Sequence, residues 1–132
     1  MTETLIEKVK QKTNTPTMRG TVRVVCYGSL KKGYFNHFML GEGAKYLGNH
    51  KLQGEMYLVA DAYPILFKGC NSYDAEVYEI LHEDYANVHK MEISAGYELC
   101  TINTPYGFAV AFYGDKNKWD DLYYLLRPID SY

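Results

Sequence analysis

Apolar and polar residues alternate along much of the chain, and this pattern predicts several strands. The run TVRVVCY at 21–27 is rich in β-branched residues and is typical of a largely buried strand. Residues 73–80 alternate small, apolar or aromatic side chains with acidic ones. Two further strands are predicted at 97–102 and 106–113, because an Asn-Thr-Pro turn separates two apolar, aromatic-containing runs.

Apolar residues at helical spacing predict two short helices in the second half of the domain. They recur in 83–91 and again in 119–126, where Pro128 ends the helix. After the first strand, Asn36 is suited to cap a short helix through residues 38–40.

The middle of the chain is predicted to consist of short extended pieces: strands at 46–47 and 52–59, an edge or turn around Pro64, and breaks at Gly69 and 71–72. In total we expect five or six strands and three or four short helices. They do not alternate regularly, so the sequence predicts an α+β domain with a mixed or barrel-like sheet.

The first twenty residues differ from the rest of the chain. Residues 4–13 have the spacing of a short amphipathic helix, and 13–20 (TNTPTMRG) have the composition of a linker. We therefore predict an N-terminal helical extension and linker at 1–20. Residues 21–132 are predicted to form one domain of ordinary size.

Composition and charge exclude several functional classes. The net charge is −2, which argues against a general nucleic-acid binder, and no segment approaches the length of a membrane span. The N-terminus lacks the apolar core of a signal peptide, so a cytoplasmic location is expected. Three widely spaced cysteines favour reduced thiols over a disulfide framework or a four-cysteine zinc site. Fourteen of the 132 residues are tyrosine, which is unusually many.

The loop Tyr27-Gly28-Ser29-Leu30 is the first candidate site, because it follows a buried strand directly. A glycine permits a tight turn whose successive N–H groups can converge on a carboxylate or an oxyanion, and the Ser29 hydroxyl adds a donor. The alternative from the pattern alone is a plain turn.

Glu92 is the second candidate, because it lies between Met91 and Ile93 near the end of a predicted helix. Apolar surroundings disfavour the charged form of a carboxylate, which raises its pKa towards that of a useful general base. The alternative is an exposed glutamate at a helix end.

Other catalytic chemistry has weaker support. The four histidines lack the His-Glu-x-x-His pattern of a zinc helix, so no metal site is expected. Cys26 lies within an apolar strand, where a thiol is usually an inert core residue. Glycine-rich nucleotide motifs are also missing, and we expect no cofactor.

Several motifs, taken in order, resemble those of the gamma-glutamylcyclotransferase-like family. The run 24–33 (VVCYGSLKKG) with Asn36-His37 resembles the family's opening strand and loop. The later matches are Tyr63-Pro64, Glu76-Val77-Tyr78, Met91-Glu92 with Gly96-Tyr97, and Phe112-Tyr113. The likeness covers roughly residues 21–115. It departs from the usual pattern beside the motifs, at Ala75, His89 and 93–96.

This resemblance implies a small mixed β-barrel with flanking short helices and a cofactor-free reaction. The substrate's own α-amine would attack its γ-amide carbonyl, releasing 5-oxoproline and an amine from a small gamma-glutamyl compound. Glu92 matches the catalytic general acid/base. The substrate-binding positions implied are Tyr27, Gly28, Ser29, Leu30, Tyr97 and Tyr113.

Two further interpretations remain open from the sequence. The altered residues beside Glu92 would suit a protein that binds or sequesters a small ligand in the same pocket without turning it over. A protein that contacts a partner through its acidic second half and N-terminal helix is the third alternative. The oligomeric state is not predicted.

Overall fold

The computed structural model describes residues 20–132 of the chain. The predicted helix at 4–13 and nearly all of the linker therefore lie outside the described residues. Six strands are present: β1 Thr21–Cys26, β2 Lys45–Val59, β3 Tyr63–Leu81, β4 Tyr97–Thr104, β5 Gly107–Gly114 and β6 Leu126–Pro128. The helices are α1 His82–Ser94, α2 Lys116–Trp119 and two 3₁₀ helices, His37–Leu40 and Asp120–Leu125.

All six strands form one mixed sheet in the order β4-β5-β1-β3-β2-β6. The only parallel pair in the described chain joins β1 to β5, and the other neighbours are antiparallel. The sheet curls into a half-barrel, which confirms the predicted α+β class with a mixed, barrel-like sheet. No helix in residues 20–132 is long and apolar enough to cross a membrane.

Strand β1 lies at the centre of the sheet and carries the start of the candidate loop. It pairs with the end of β3 on one side and with β5 on the other. Val24, Val25 and Cys26 are almost completely buried, as expected for a β-branched run covered on both faces. The predicted strand is confirmed, and its end at Cys26 places the next residues at the edge of the core.

Strands β2 and β3 form one long hairpin, so the predicted breaks in the middle of the chain are wrong. Gly48 lies at a register shift within β2, and residues 68–70 form a three-residue bulge within β3 opposite the Gly54–Glu55 step. Gly and Asn residues disfavour an isolated strand, but pairing with β2 on one side keeps the backbone extended through these irregularities. β1 pairs only with residues 76–81 of β3, so the edge of β3 that faces away from β2 is open at Pro64. Proline, which has no N–H to donate, is tolerated at such an open edge.

The predicted helix at 119–126 is also wrong in part. Asp115 caps α2 by accepting a hydrogen bond from the Asn117 N–H (3.2 Å), and a 3₁₀ helix then continues to Leu125. Residues 126–128 leave the helix and pair with the edge of β2. The backbone bonds offered by that edge replace those of another helical turn, and Pro128 is tolerated on an edge strand.

Helix α1 confirms the predicted helix at 83–91 and extends it to Ser94. Its buried contact is Val88, which is fully enclosed. Gly96 (φ 97°) turns the chain into β4, and the Trp119 indole N–H donates to the Gly96 carbonyl oxygen (2.9 Å). A Cβ at Gly96 would approach that indole nitrogen to 2.9 Å, so both backbone angle and space require glycine here. This turn fixes the end of α1, where Glu92 lies.

Candidate active site

The loop that follows β1, residues 27–36, is fixed by hydrogen bonds that its carbonyl oxygens accept. The Gly28 carbonyl accepts from the Lys31 N–H (3.0 Å), and the Ser29 carbonyl accepts from the Asn36 N–H (2.9 Å). The Leu30 carbonyl accepts from Nδ1 of His37 (2.8 Å), which fixes the proton of that ring on Nδ1. Three successive peptide units are thus anchored through their acceptors.

The N–H groups of Gly28, Ser29 and Leu30 remain available to a ligand. Within residues 20–132 they donate to no protein acceptor. A run of unpaired N–H groups beside a cavity can bind a carboxylate or stabilise a developing oxyanion. The loop therefore has free donors, and its role in binding a ligand stays a prediction.

Asn36 has a different role from the one expected. Its side-chain amide makes no capping bond to the short helix and instead donates to Oγ of Ser29 (2.9 Å). Together with the backbone bond between the same two residues, this ties the loop across seven positions. The Ser29 hydroxyl keeps its own proton available as a donor.

Gly28 is required for space rather than for an unusual backbone angle. A Cβ at this position would lie 2.7 Å from Cγ of Pro64. Its φ lies outside the left-handed range that strains other residues. The Pro64 ring therefore packs directly on the backbone of the loop and limits where it can lie.

Glu76 holds the far end of the loop, a role that sequence reasoning missed. Its carboxylate oxygen Oε1 accepts from the Lys32 N–H (2.9 Å) and from the Tyr78 hydroxyl (2.9 Å). The sequence contained a signal, because Glu76 and Tyr78 lie two apart on one face of a strand. The contact to Lys32, 44 residues away, could not be seen without the fold.

The loop and Glu92 line the same cavity, which has a volume of about 500 Å³. Glu92 reaches it from the last turn of α1 and is partly buried. Burial raises the pKa of Glu92 from 4.5 to about 7. In residues 20–132 no cation pairs with its carboxylate. A carboxyl group of this kind can exchange a proton near neutral pH.

Tyr27 and Tyr97 also line this cavity, but their hydroxyls bond to the main chain. The Tyr27 hydroxyl donates to the Phe112 carbonyl (2.7 Å) and accepts from the Leu66 N–H (3.1 Å). The Tyr97 hydroxyl donates to the Pro64 carbonyl (2.8 Å). The two side chains thus satisfy the open edge of β3, and burial raises the pKa of both phenols.

Tyr113 does not lie in the cavity, so its placement departs from the sequence-based expectation. Its hydroxyl donates to the Gln53 carbonyl (2.7 Å), and the side chain lines a separate groove of about 690 Å³. The physical reason is the alternation of side chains along β5: Phe112 faces the cavity, so its neighbour faces the other way.

Three residues of the cavity wall were not singled out by sequence reasoning. They are Phe35, Ala62 and Tyr132. Phe35 carried a signal that could be noticed, since it is an aromatic residue in a small polar loop. The other two are ordinary turn and terminal residues, and only the fold brings them to the cavity.

A cysteine nucleophile and a metal site, the alternatives to carboxylate chemistry, have little support in residues 20–132. Cys26 is buried, and burial raises the pKa of its thiol far above the ordinary value, so it is not a nucleophile. No group of three or more metal-ligating side chains occurs between residues 20 and 132. His89, at one of the positions that depart from the family pattern, packs edge-on against Phe112 (ring centroids 6.0 Å).

Comparison with known proteins gives a consistent result. A family model described as gamma-glutamyl cyclotransferase, AIG2-like, matches residues 24–128. A Pyrococcus horikoshii protein with a provisional assignment as a gamma-glutamylcyclotransferase is 36% identical over 89 residues, covering 67% of this chain and 75% of that protein.

Solved structures share the fold. The crystal structure of the same P. horikoshii protein has a TM-score of 0.63 at 33% identity, covering 71% of this chain and 78% of its own. An AIG2-like protein from Mus musculus has a TM-score of 0.67 at 16% identity, covering 86% of this chain and 88% of its own.

Proposed function

The chain belongs to the gamma-glutamyl cyclotransferase, AIG2-like family, and from that premise we propose that it cyclises a gamma-glutamyl amine or gamma-glutamyl amino acid. The substrate's α-amine nitrogen forms a bond to its own γ-carbonyl carbon. The bond from that carbon to the leaving nitrogen then breaks. The products are 5-oxoproline and the free amine, and no oxidant, reductant or cofactor is consumed.

One observation carries this proposal: residues 28–30, whose N–H groups have no acceptor within residues 20–132, line one cavity together with Glu92. The N–H groups provide donors for the glutamyl carboxylate or for the oxyanion that forms at the attacked carbonyl. The anchored Gly28 and Ser29 carbonyls belong to the same peptide units as the Ser29 and Leu30 N–H groups, and they keep these two donors in place. Preorganised donors of this kind need no rearrangement during the reaction.

Glu92 is proposed as the general acid/base. The α-amine arrives as an ammonium group, so the Glu92 carboxylate must first accept a proton. The resulting carboxylic acid then gives that proton to the leaving nitrogen. A pKa of about 7 leaves both forms populated near neutral pH, which suits a group that must accept and then donate.

Holding the substrate folded supplies much of the remaining rate advantage, because the two reacting atoms belong to one molecule. The rings of Tyr27 and Tyr97 and the Pro64 ring form a firm wall for this purpose. The Tyr27 and Tyr97 hydroxyls already form hydrogen bonds within the protein, and the Pro64 ring carries no polar side-chain atom. We therefore assign these residues to shaping the cavity rather than to proton transfer.

The test is to incubate the purified full-length protein with a panel of gamma-glutamyl compounds and to measure 5-oxoproline by mass spectrometry. Glu92→Gln should lower kcat by about a hundredfold to ten-thousandfold, the usual contribution of a general acid/base. Glu98→Gln removes an exposed carboxylate from β4 and should leave kcat unchanged. Full activity of Glu92→Gln would remove Glu92 from the mechanism.

The ligand-binding alternative makes a different prediction from the same panel. A protein that only binds would be stabilised against heat by a gamma-glutamyl compound without forming 5-oxoproline. Product formation with turnover beyond one equivalent excludes it. A thermal shift with no product would replace the enzymatic proposal.

A further inference from the structure

The groove beside Tyr113 lies where the sheet leaves two strand edges open. β4 is the last strand of the sheet, and in residues 20–132 it pairs only with β5. β2 pairs with β3 on one side, whereas β6 covers its other side only at residues 57–59. Residues 50–53 of β2 and 100–103 of β4 therefore lack a strand partner along one edge each.

Both open edges border this groove. Residues 50–53 and residues 100–103 all line it. Side chains alternate between the two faces of a strand, so four consecutive residues line one recess along the edge of the strand. The Tyr113 hydroxyl, which donates to the Gln53 carbonyl (2.7 Å), bridges the two sides. The groove is thus the opening that remains where the curled sheet does not close into a barrel.

The groove has an apolar floor and a polar rim. Leu52 belongs to the buried core, and Cys100 and Ile102 pack against that core. Lys51 and Thr101, which alternate with them along the two strands, are exposed. An extended chain in the groove would bury every second side chain on the floor and hold the others at the rim. Burial of its apolar side chains would stabilise the bound chain.

The rim carries positive charge in the part of the chain that the structure describes. The formally charged residues that line the groove are Lys51 and Lys68, and Glu98 of β4 is not among its lining residues. Lys51 pairs with Asp74 (2.6 Å), but no carboxylate of residues 20–132 lies within ion-pair distance of the Lys68 ammonium. Lysines beside an open edge discourage pairing with neutral or basic strands. An acidic strand would instead gain an ion pair with Lys68.

We propose that the groove binds an extended segment of a partner protein in which acidic and apolar residues alternate. The segment would add a strand to the open edge of β4, a common mode of peptide recognition. Its apolar side chains would cover Leu52 and Ile102, and its carboxylates would face Lys68. Four residues of a strand span about 13 Å at ~3.3 Å per residue, so about four to six residues of the partner fill the groove. This site is separate from the cavity beside Glu92 and does not depend on enzymatic activity.

Synthetic hexapeptides test the pattern when they are titrated into the full-length protein by calorimetry. The probe is acetyl-Asp-Val-Asp-Val-Asp-Val-amide. Acetyl-Asp-Asp-Asp-Val-Val-Val-amide has the same composition without alternation, and acetyl-Lys-Val-Lys-Val-Lys-Val-amide has the opposite charge. We expect the Kd of the probe to be at least about fivefold lower than that of either control. Equal Kd values for the probe and either control, or no binding of the probe, would overturn the proposal.

Amide hydrogen exchange shows where the probe binds. In the protein alone, the amides of 100–103 that are not bonded to β5 should exchange quickly, because they face solvent. A saturating concentration of the probe should slow their exchange by at least about threefold and leave the amides of β1 unchanged. Slow exchange in the protein alone, whether a second copy or another part of its own chain covers the edge, would overturn the proposal. Protection by the probe that is confined to other regions would do the same.

Lys68→Glu tests the charge of the rim, with Lys45→Glu as the matched control. Both lysines are exposed, but Lys45, on β2, does not line the groove. Lys68→Glu should raise the Kd of the acidic probe by about three- to tenfold and lower that of the lysine peptide. Lys45→Glu should change neither value. An unchanged Kd in Lys68→Glu, or an equal change in Lys45→Glu, would contradict the proposed contact between Lys68 and an acidic segment.

Discussion

The cavity beside Glu92 and the groove beside Tyr113 are two recesses of one fold. They differ in which charged side chains line them and in how far those side chains are exposed to water. Among residues 20–132, the cavity is lined by one acidic side chain, Glu92, which is partly buried among apolar residues. The groove is larger and is lined by His50, Lys51 and Lys68. The Lys51 side chain is 68% exposed and pairs with Asp74 across the strands at 2.6 Å.

Neither the volume of a recess nor the number of charged side chains in it identifies the better candidate for a reactive site. Exposed ions remain solvated, and an exposed pair contributes little free energy. Withdrawal from water, by contrast, raises the pKa of the Glu92 carboxyl group in the cavity from 4.5 to about 7. The smaller recess is therefore the better candidate for proton transfer.

The largest loss of activity is expected from a substitution that displaces the loop at the cavity. We expect Gly28→Val to lower kcat/KM by at least about a hundredfold, because the added Cβ would lie 2.7 Å from Pro64 Cγ and the donors must move. Steady-state assays with the best substrate of the panel measure this effect. Wild-type activity would show that the position of the loop does not matter.

Gly33→Ala is the control for a glycine substitution in the same loop. Gly33 has φ 87° and open space around its Cβ position. The substitution should reduce the free energy of unfolding by about 1 kcal/mol through backbone strain and leave kcat/KM near the wild-type value.

The buried carboxyl group should also make stability depend on pH. The folded-state pKa of Glu92 is about 7 and its ordinary value is 4.5, so the folded protein holds the proton more tightly. Its contribution to stability is present below about pH 4.5 and is lost as the pH rises to about 7. The stability of Glu92→Gln relative to wild type should therefore increase by about 3 kcal/mol between pH 4.5 and pH 8.

Urea unfolding at these two pH values measures the gain. Glu98→Gln, which changes an exposed carboxylate on β4 opposite Tyr113, should follow the wild-type pH dependence. The same dependence in Glu92→Gln as in wild type would mean that Glu92 is not withdrawn from water.

Tyrosine hydroxyls on the two sides of the sheet provide a smaller contrast. Tyr27→Phe removes the partner of two buried main-chain groups, the Phe112 carbonyl and the Leu66 N–H. Tyr113→Phe removes only the bond to the Gln53 carbonyl, which is part-buried. We expect losses of about 2 and about 1 kcal/mol in the free energy of unfolding, respectively, by chemical denaturation. Equal losses would contradict the edge-satisfying role of Tyr27.

The smallest expected difference is in the reactivity of the three cysteine thiols, and its measurement does not depend on enzymatic activity. Cys70 is exposed and Cys100, which lines the groove, is partly exposed. Cys26 lies in the cavity wall but is only 2% exposed. Ellman's reagent should react first with Cys70, then with Cys100, and with Cys26 only through unfolding. Rapid labelling of Cys26 in the native protein would show that the cavity opens beyond the described geometry.

Local patterns predicted those parts of the fold whose stability is local. The β-branched run of β1, the turn between β4 and β5 and the periodicity of α1 each follow from neighbouring residues. The long hairpin of β2 and β3 did not follow, because its glycines and Pro64 oppose an isolated strand. Pairing between strands outweighs that local preference.

Residues 126–128 show the same competition at smaller scale. Their apolar spacing continues the helical pattern, yet the open edge of β2 offers backbone partners at Val59, Leu58 and Tyr57. A short helical end has unsatisfied carbonyl groups of its own, so an edge strand is the better outcome.

Neighbouring residues alone identify the chemical groups of the candidate site: a glutamate between apolar neighbours and a small-residue loop at the end of a buried strand. The tertiary structure decided that the loop donors and Glu92 line one cavity, that Gly28 is needed to admit Pro64, and that Tyr113 lies elsewhere. The physical reason is the range of the interactions. Tyr27 finds its hydrogen-bond partners 39 and 85 residues away, and no local pattern records such partners.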